Sequence, residues 1–408
     1  KEQSIMVSLN KSRESESRPR VTVGLAIAAL ALVALCFANT FSFARFAMVV
    51  IFGAVIAVPF LSKYSYWGYT HLNLASALFI CYNVLSVIIH GPTPISFYNG
   101  LLASAATTLF VAVVIWSPRL RNLNGFIWLV SRAGGGMIVL GLVIQLTSIN
   151  FTWVAKTGFL FTFLFFILLD KSRTSGVKIL FCVLWIVQAY LADDRAYILA
   201  GVIFMLTFVL WPFLGRMRAL GRFVVFLFLA ALIVIPSVYV ALSRSSIRQM
   251  LDELALKYTD GRFFSGRDVI WGYMLEEYSS NSLLLGGGHE VVPPEFFGVG
   301  LSAHNTFISV LTRTGAIGLC LLLLMFYLVL RHYLQWHRDF HVRVSAAFTI
   351  AILFKNSSEL SLLGNNIALS IVYWLVIAFG FLFINAARRE HGESNLNHYL
   401  MSGERAVK

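Results

Sequence analysis

Charge is scarce in this chain: Asp, Glu, Lys and Arg make up 12% of its 408 residues, against 58% hydrophobic residues. That balance excludes an ordinary soluble domain. Cysteine is as sparse. Cys36, Cys81, Cys182 and Cys320 all fall in apolar stretches and none forms a CxxC pair, so neither a disulfide framework nor a zinc site is expected. The long polar segment holds no HxxxH, HxH or spaced carboxylate trio, so no metal or other cofactor is expected. Gly286-Gly287-Gly288 lacks the following Lys-Ser/Thr of a phosphate-binding loop and reads as a flexible or closely packed turn. No internal repeat or low-complexity segment stands out.

What the chain has in abundance is apolar runs near the ~20 residues that cross a bilayer as helix. Twelve are read, centred in 21–39, 46–62, 71–90, 97–116, 126–147, 154–169, 178–192, 196–214, 223–242, 305–330, 344–360 and 366–387. The expected fold is all-α, a polytopic membrane helix bundle. The first run follows a basic arm (Lys11, Arg13, Arg18, Arg20) without an evident cleavage site, so it is expected to be a span rather than a signal peptide. The net charge of +13 then reads as membrane orientation and not as nucleic-acid binding. With the N-terminus inside, eighteen Lys/Arg fall on inner loops and tails: Lys11, Arg13, Arg18, Arg20, Lys63, Arg119, Arg121, Lys171, Arg173, Lys178, Arg216, Arg218, Arg222, Arg331, Arg338, Arg343, Arg388 and Arg389. The outer short loops carry only Arg45 and Arg195. The expected organisation is an inner arm 1–20, nine spans in 21–242, an outer loop 243–304, three spans in 305–387 and an inner tail 388–408.

The outer loop divides into two amphipathic pieces. Ile247, Met250, Leu251, Leu254 and Tyr258 recur at helical spacing, as do Trp271, Met274, Leu275 and Tyr278. Two short helices along the membrane interface are expected. Around them collect ionisable residues at membrane depth, which are functional candidates by default. These are Asp193-Asp194-Arg195, Arg267 at the start of the second loop helix, Arg313 about two turns into span ten, and Lys355 with Glu359 near the end of span eleven. Guanidiniums suit a pyrophosphate, because a planar fork of donors can grip two oxygens. Each has a plainer explanation: an Arg195 salt bridge with Asp193 or Asp194, an Arg267–Asp268 pair, a snorkelling Arg313, and a self-neutralising i,i+4 pair of Lys355 with Glu359. His304 stands where the loop enters span ten, placing an imidazole at a membrane–water boundary. Asn305 is explained as the N-cap of that span. His289 in the glycine-rich stretch is a reserve candidate in a setting that suggests mobility.

Three segments together resemble the bacterial O-antigen ligase and polysaccharide polymerase family. His304-Asn305, nine residues, then Gly315-Ala316-Ile317-Gly318 is similar to the ligase signature of His, then Asn, Ser or Gln, nine residues, Gly, two residues and Gly, Thr or Tyr. Ser265-Gly266-Arg267 with Trp271 resembles the family's Ser-Gly-Arg-x-x-x-Trp segment. Asp194-Arg195-Ala196 resembles its Ser-Arg-Ala segment with Asp in place of Ser, and Leu285 stands where the family often has Pro before the loop glycines. The motifs cover about 190–330. The resemblance implies a metal-independent, inverting glycosyltransferase of the bacterial inner membrane with its site facing the periplasm. Its donor would be a glycan on undecaprenyl pyrophosphate and its acceptor lipid A–core, with polysaccharide assembly proteins as partners. His304, Arg267 and Arg195 would be catalytic; Arg267, Arg195, Asn305 and Arg313 would bind substrate.

A polymerase using the same donor is the alternative within that chemistry. A transporter or flippase of an anionic solute or lipid is the alternative outside it; the large outer loop and the lack of a half-to-half repeat speak against it.

Overall fold

The computed structural model describes residues 69–91, 93–117, 123–147, 157–192, 194–258, 262–264, 266–291, 303–363 and 367–402. The basic arm, the expected spans at 21–39 and 46–62, and Asp193 lie outside the described residues. Those described are helical, without a strand; one isolated bridge joins Ser282 and Gly286. Twelve helices are described: α1 Thr70–Ile89, α2 Pro94–Trp116, α3 Leu123–Leu146, α4 Thr157–Leu169, α5 Ser175–Leu191, α6 Arg195–Arg216, α7 Arg218–Ser243, α8 Arg248–Tyr258, α9 Arg267–Ser280, α10 Thr306–Gln335, α11 Phe340–Asn356 and α12 Ile367–Ser402.

Six of them are long and apolar enough to cross a membrane: α1, the Asn124–Leu146 part of α3, α6, α7, α10 and the Leu369–Arg389 part of α12. This is an all-α membrane protein. The described part of α4 has 13 residues, about 20 Å at the usual rise, short of a hydrocarbon core about 30 Å thick. The last helix runs to Ser402, past the expected end of span twelve, because no proline interrupts it.

The described chain forms two compact units, one within 120–194 and the other from 69–119 with 195–402. In the first, α3, α4 and α5 pack together around Phe159, Phe161, Phe163, Phe165 and Phe166 of α4. Its outer stripe on α5, Ile179, Val183, Ile186 and Tyr190, is exposed at helical spacing, as a lipid-facing surface is.

In the second unit α12 lies at the centre, with 89% of its apolar window buried. Trp374 and Phe326 stack there at 5.4 Å between centroids. α6 packs lengthwise on α11 through Ala200, Phe204 and Trp211, while Leu199, Val202, Leu206 and Val209 face outward. Apolar residues on both faces of one helix make sense only where one face meets protein and the other lipid. The loop helix α9 packs on α7 and α10 through Ile270, Trp271 and Met274, which join Val240, Ala303 and Ile308 in one apolar cluster. That cluster fixes the loop helix against the start of α10, where His304 stands.

Candidate functional site

α10 begins where it does because Asn305 caps it: its backbone is extended and its Oδ1 accepts the Ile308 N–H at 2.9 Å. The same side chain donates from Nδ2 to the Ser357 carbonyl at 2.5 Å, and Thr306 Oγ1 donates to Asn356 Oδ1 at 3.0 Å. Asn356 Oδ1 also accepts the N–H groups of Ser361 and Leu362. The start of α10 is thus clasped to the end of α11 by fully buried amides. Asn305 is a cap and a clasp, with both ends of its amide committed to the protein. Asn305→Ala is expected to cost about 0.5–2 kcal/mol for the cap, plus the penalty of a buried Ser357 carbonyl left unpaired. Thermal unfolding checks this, and an unchanged midpoint would contradict the clasp.

His304 immediately precedes that cap with φ +45°, the one non-glycine residue of positive φ among those described. Such a backbone is uncommon and costs on the order of 1–3 kcal/mol unless its surroundings impose it. The surroundings do. Asn305 holds the chain on one side, and on the other Trp271 Nε1 donates to the Ala303 carbonyl at 2.8 Å. The tryptophan four residues after Arg267 therefore ties the loop helix to the residue before His304.

Arg267 opens α9 directly after Gly266, whose φ is +82°. The Arg267–Asp268 pair that stood as the plainer explanation of Arg267 does not form; buried Asp268 is engaged by Arg248 at 3.5 Å. Among the described residues no carboxylate pairs with Arg267. Lys355 is buried, with Nζ 3.3 Å from Glu359 Oε1 and 4.3 Å from the centre of the Tyr197 ring. Tyr197 in turn shares a 2.5 Å hydroxyl–hydroxyl hydrogen bond with Tyr373. Arg195 lies two residues before Tyr197, at the end of α6 that packs against the last turn of α11.

Of these charges, Glu359, Arg267 and Lys355 act on His304, and Arg195 is not among them. Burial lowers its pKa from 6.5; Glu359 raises it, and the cations Arg267 and Lys355 lower it. The net direction is down, so the imidazole is neutral at pH 7 and able to accept a proton. The structure therefore brings His304 together with Arg267, as the sequence suggested, and adds Lys355 and Glu359. The sequence showed that pair only as an i,i+4 neighbour pair; what brings it to His304 is the clasp between α10 and α11, which no local spacing reveals.

The second half of the glycine motif has a structural reason. α10 is broken at Gly315, with φ +65° and ψ −169°. A straight helix would bond the N–H groups of Ala316 and Ile317 to the carbonyls of Thr312 and Arg313. The break frees all four groups, and the glycine-rich segment takes them. Ala316 and Ile317 donate to Leu283 and Leu284 at 3.0 and 3.3 Å, while Gly287 and Gly288 donate to Thr312 and Arg313 at 2.8 and 2.9 Å. Two helical bonds give way to four between loop and helix, leaving no orphan at membrane depth. The approach is close enough that a Cβ on Gly315 would lie 2.2 Å from the Leu284 oxygen. The triple glycine is thus a closely packed element. His289, whose setting suggested mobility, is buried and anchored, with its carbonyl accepting from Asn99 Nδ2 at 3.0 Å. Arg313 lies beside it, donating from Nε to the Val291 carbonyl at 3.2 Å. It shares a pocket with His289.

No protein-family model, curated protein or solved structure matches this chain.

Proposed function

We propose that this protein is a membrane glycosyltransferase of the O-antigen ligase type, moving a glycan from undecaprenyl pyrophosphate to an acceptor hydroxyl of lipid A–core. The site would face the periplasm from the bacterial inner membrane, the orientation favoured by the distribution of Lys and Arg. The observation that carries the proposal is a neutral, partly buried imidazole beside Arg267, a cation without a carboxylate partner among the described residues. A base beside a fixed positive charge suits a reaction in which a hydroxyl loses a proton while a pyrophosphate departs with an electron pair.

In that reaction the acceptor oxygen forms a bond to the anomeric carbon and the bond from that carbon to the pyrophosphate oxygen breaks. The acceptor proton passes to His304 Nδ1 or Nε2. Arg267 faces the leaving group with its fork of donors, supported by the charges of Arg195 and Lys355; Glu359 holds the Lys355 ammonium in place. Direct attack inverts the anomeric centre. A polymerase would use the same groups with a glycan repeat as acceptor.

The test is transfer by the purified protein in proteoliposomes supplied with undecaprenyl-pyrophosphate glycan and lipid A–core, without an ion gradient. Glycan attached to lipid A–core supports the ligase reading, and glycan extended on the lipid carrier supports the polymerase. Movement of lipid-linked glycan across the bilayer without a new glycosidic bond would overturn both. Arg267→Lys keeps the charge and loses the planar fork, so turnover should fall at least 10-fold while expression and unfolding temperature stay near those of the parent, about the loss of one charge-assisted hydrogen bond.

A further inference from the structure

A small cavity lies in the second unit between α1, α10 and the segment that follows α11. Asn83, His289, Ser309 and Arg313 give its polar lining, and Leu360 and Leu363 close it on the apolar side. Two observations on its walls bear on what it could hold. The His289 side chain is buried, the residue being only 3% exposed, yet its Nε2 has no hydrogen-bond partner. Arg313, in a membrane helix, has no carboxylate ion pair among the described residues, and the one hydrogen bond of its guanidinium there, from Nε to Val291, leaves its terminal nitrogens uncommitted. A buried polar atom without a partner costs roughly 1–3 kcal/mol, and an uncompensated guanidinium in a low-dielectric setting costs more. A single ligand that accepts from both groups would satisfy the two together.

We infer that this cavity binds a single oxyanion group, phosphate or carboxylate, gripped by the Arg313 guanidinium and hydrogen-bonded by His289 Nε2. The surroundings are built to hold both ligands still. Gly288 N–H donates to the Arg313 carbonyl, and Val291 returns a carbonyl to the Arg313 side chain. Asn99 fixes the His289 backbone, and the bare Cα of Gly100 lets α2 pack closely on Val87 of α1 beside the His289 ring. Neutral His289 donates from Nε2 in one of its two tautomers, so Arg313 supplies the charge and His289 the direction. The resemblance counted Arg313 among substrate-binding residues; here it takes an oxyanion of its own beside His289, and the test reads binding and not glycan transfer.

Two sources carry this chemistry: a phosphate on a lipid headgroup and a soluble phosphate. The experiment measures thermal unfolding of the full chain in a phosphate-free maltoside detergent, adding inorganic phosphate at constant ionic strength against chloride. In a second arm phosphatidylglycerol is added to the micelles. An upward shift of about 2–4 °C is expected from a ligand held well above its dissociation constant. Arg313→Gln should abolish the shift, Arg313→Lys and His289→Gln should reduce it, and His304→Ala should leave it intact. A shift with phosphate identifies a soluble group, and a shift with phosphatidylglycerol alone identifies the headgroup. Should Arg313→Gln fail to fold, the Arg313→Lys and His289→Gln proteins decide: an undiminished shift in both overturns the site. Absence of any shift in the parent protein also overturns it, as does a shift lost in Arg267→Ala but kept in Arg313→Gln.

Discussion

His304→Ala is expected to yield a folded protein that still binds lipid-linked donor and transfers glycan roughly 10²–10⁴-fold more slowly, the usual contribution of a positioned acid or base. Folding should survive because the elements around this residue are held by others. Asn305 caps α10, Trp271 secures Ala303, and the α10–α11 clasp runs through Asn305, Thr306 and Asn356. Alanine brings only a methyl group, although it inherits a backbone with φ +45°. The pH profile gives an independent reading. A base must be unprotonated, and burial with Arg267 and Lys355 outweighs Glu359 in lowering its pKa below 6.5. Transfer should therefore be level at neutral pH and fall only as pH drops through that lowered value. An inflection above pH 6.5, or a parent-like rate in His304→Ala, would remove the base assignment. Partial rescue by His304→Gln would point to orientation of the hydroxyl in place of proton transfer, since glutamine can accept a hydrogen bond and not a proton at this pH.

Gly315→Ala is expected to be the most damaging single methyl in the outer half of α10. With φ +65° and ψ −169°, Gly315 occupies a region open in practice to glycine alone, and a side chain there costs on the order of 1–3 kcal/mol before any contact is counted. The added carbon would also meet the Leu284 carbonyl oxygen at 2.2 Å and the Gly286 nitrogen at 2.6 Å, both backbone atoms that cannot rotate away. Relief requires the segment 283–288 to leave the helix, breaking four hydrogen bonds at once. The expected result is a lower unfolding temperature and rapid hydrogen exchange at Gly287, Gly288, Ala316 and Ile317. Transfer should be lost in step, because the same loop carries the chain toward His304. Gly318→Ala provides the contrast. There the added carbon meets the Thr314 hydroxyl and Cβ and then Tyr82 at 3.3 Å, all side-chain atoms, on a backbone without positive φ. Its cost should be smaller, which agrees with a signature that admits Gly, Thr or Tyr at this second position. Equal effects of the two substitutions would contradict the docking account.

Much of this was readable along the chain, and some was not. The 3.6-residue spacing of Trp271, Met274, Leu275 and Tyr278 foretold a loop helix, and the structure has one from Arg267 to Ser280. Asn305 as a cap was equally legible, because capping is decided within four residues. Adjacency also offered an Arg267–Asp268 pair as the plainer explanation of Arg267, and it does not form, since α9 turns Asp268 inward to Arg248. His289 was misjudged for a similar reason. Three glycines read as slack until their partners are known, and here those partners are carbonyls and amides released by a break in a different helix.

By itself, then, the sequence determined the elements that rest on composition and local periodicity: a membrane protein of helices, the capped entry of α10, and the residue types from which a base and an anion-binding cation are drawn. Only the tertiary structure decided which of these meet. The arginine that engages Asp268, the lysine whose charge acts on His304, and the burial of His289 are all set by contacts between segments distant along the chain. Side-chain periodicity encodes which face of a helix turns inward. It does not encode what stands on the other side, because that is fixed by the packing of whole helices against one another, where many small contacts are settled together.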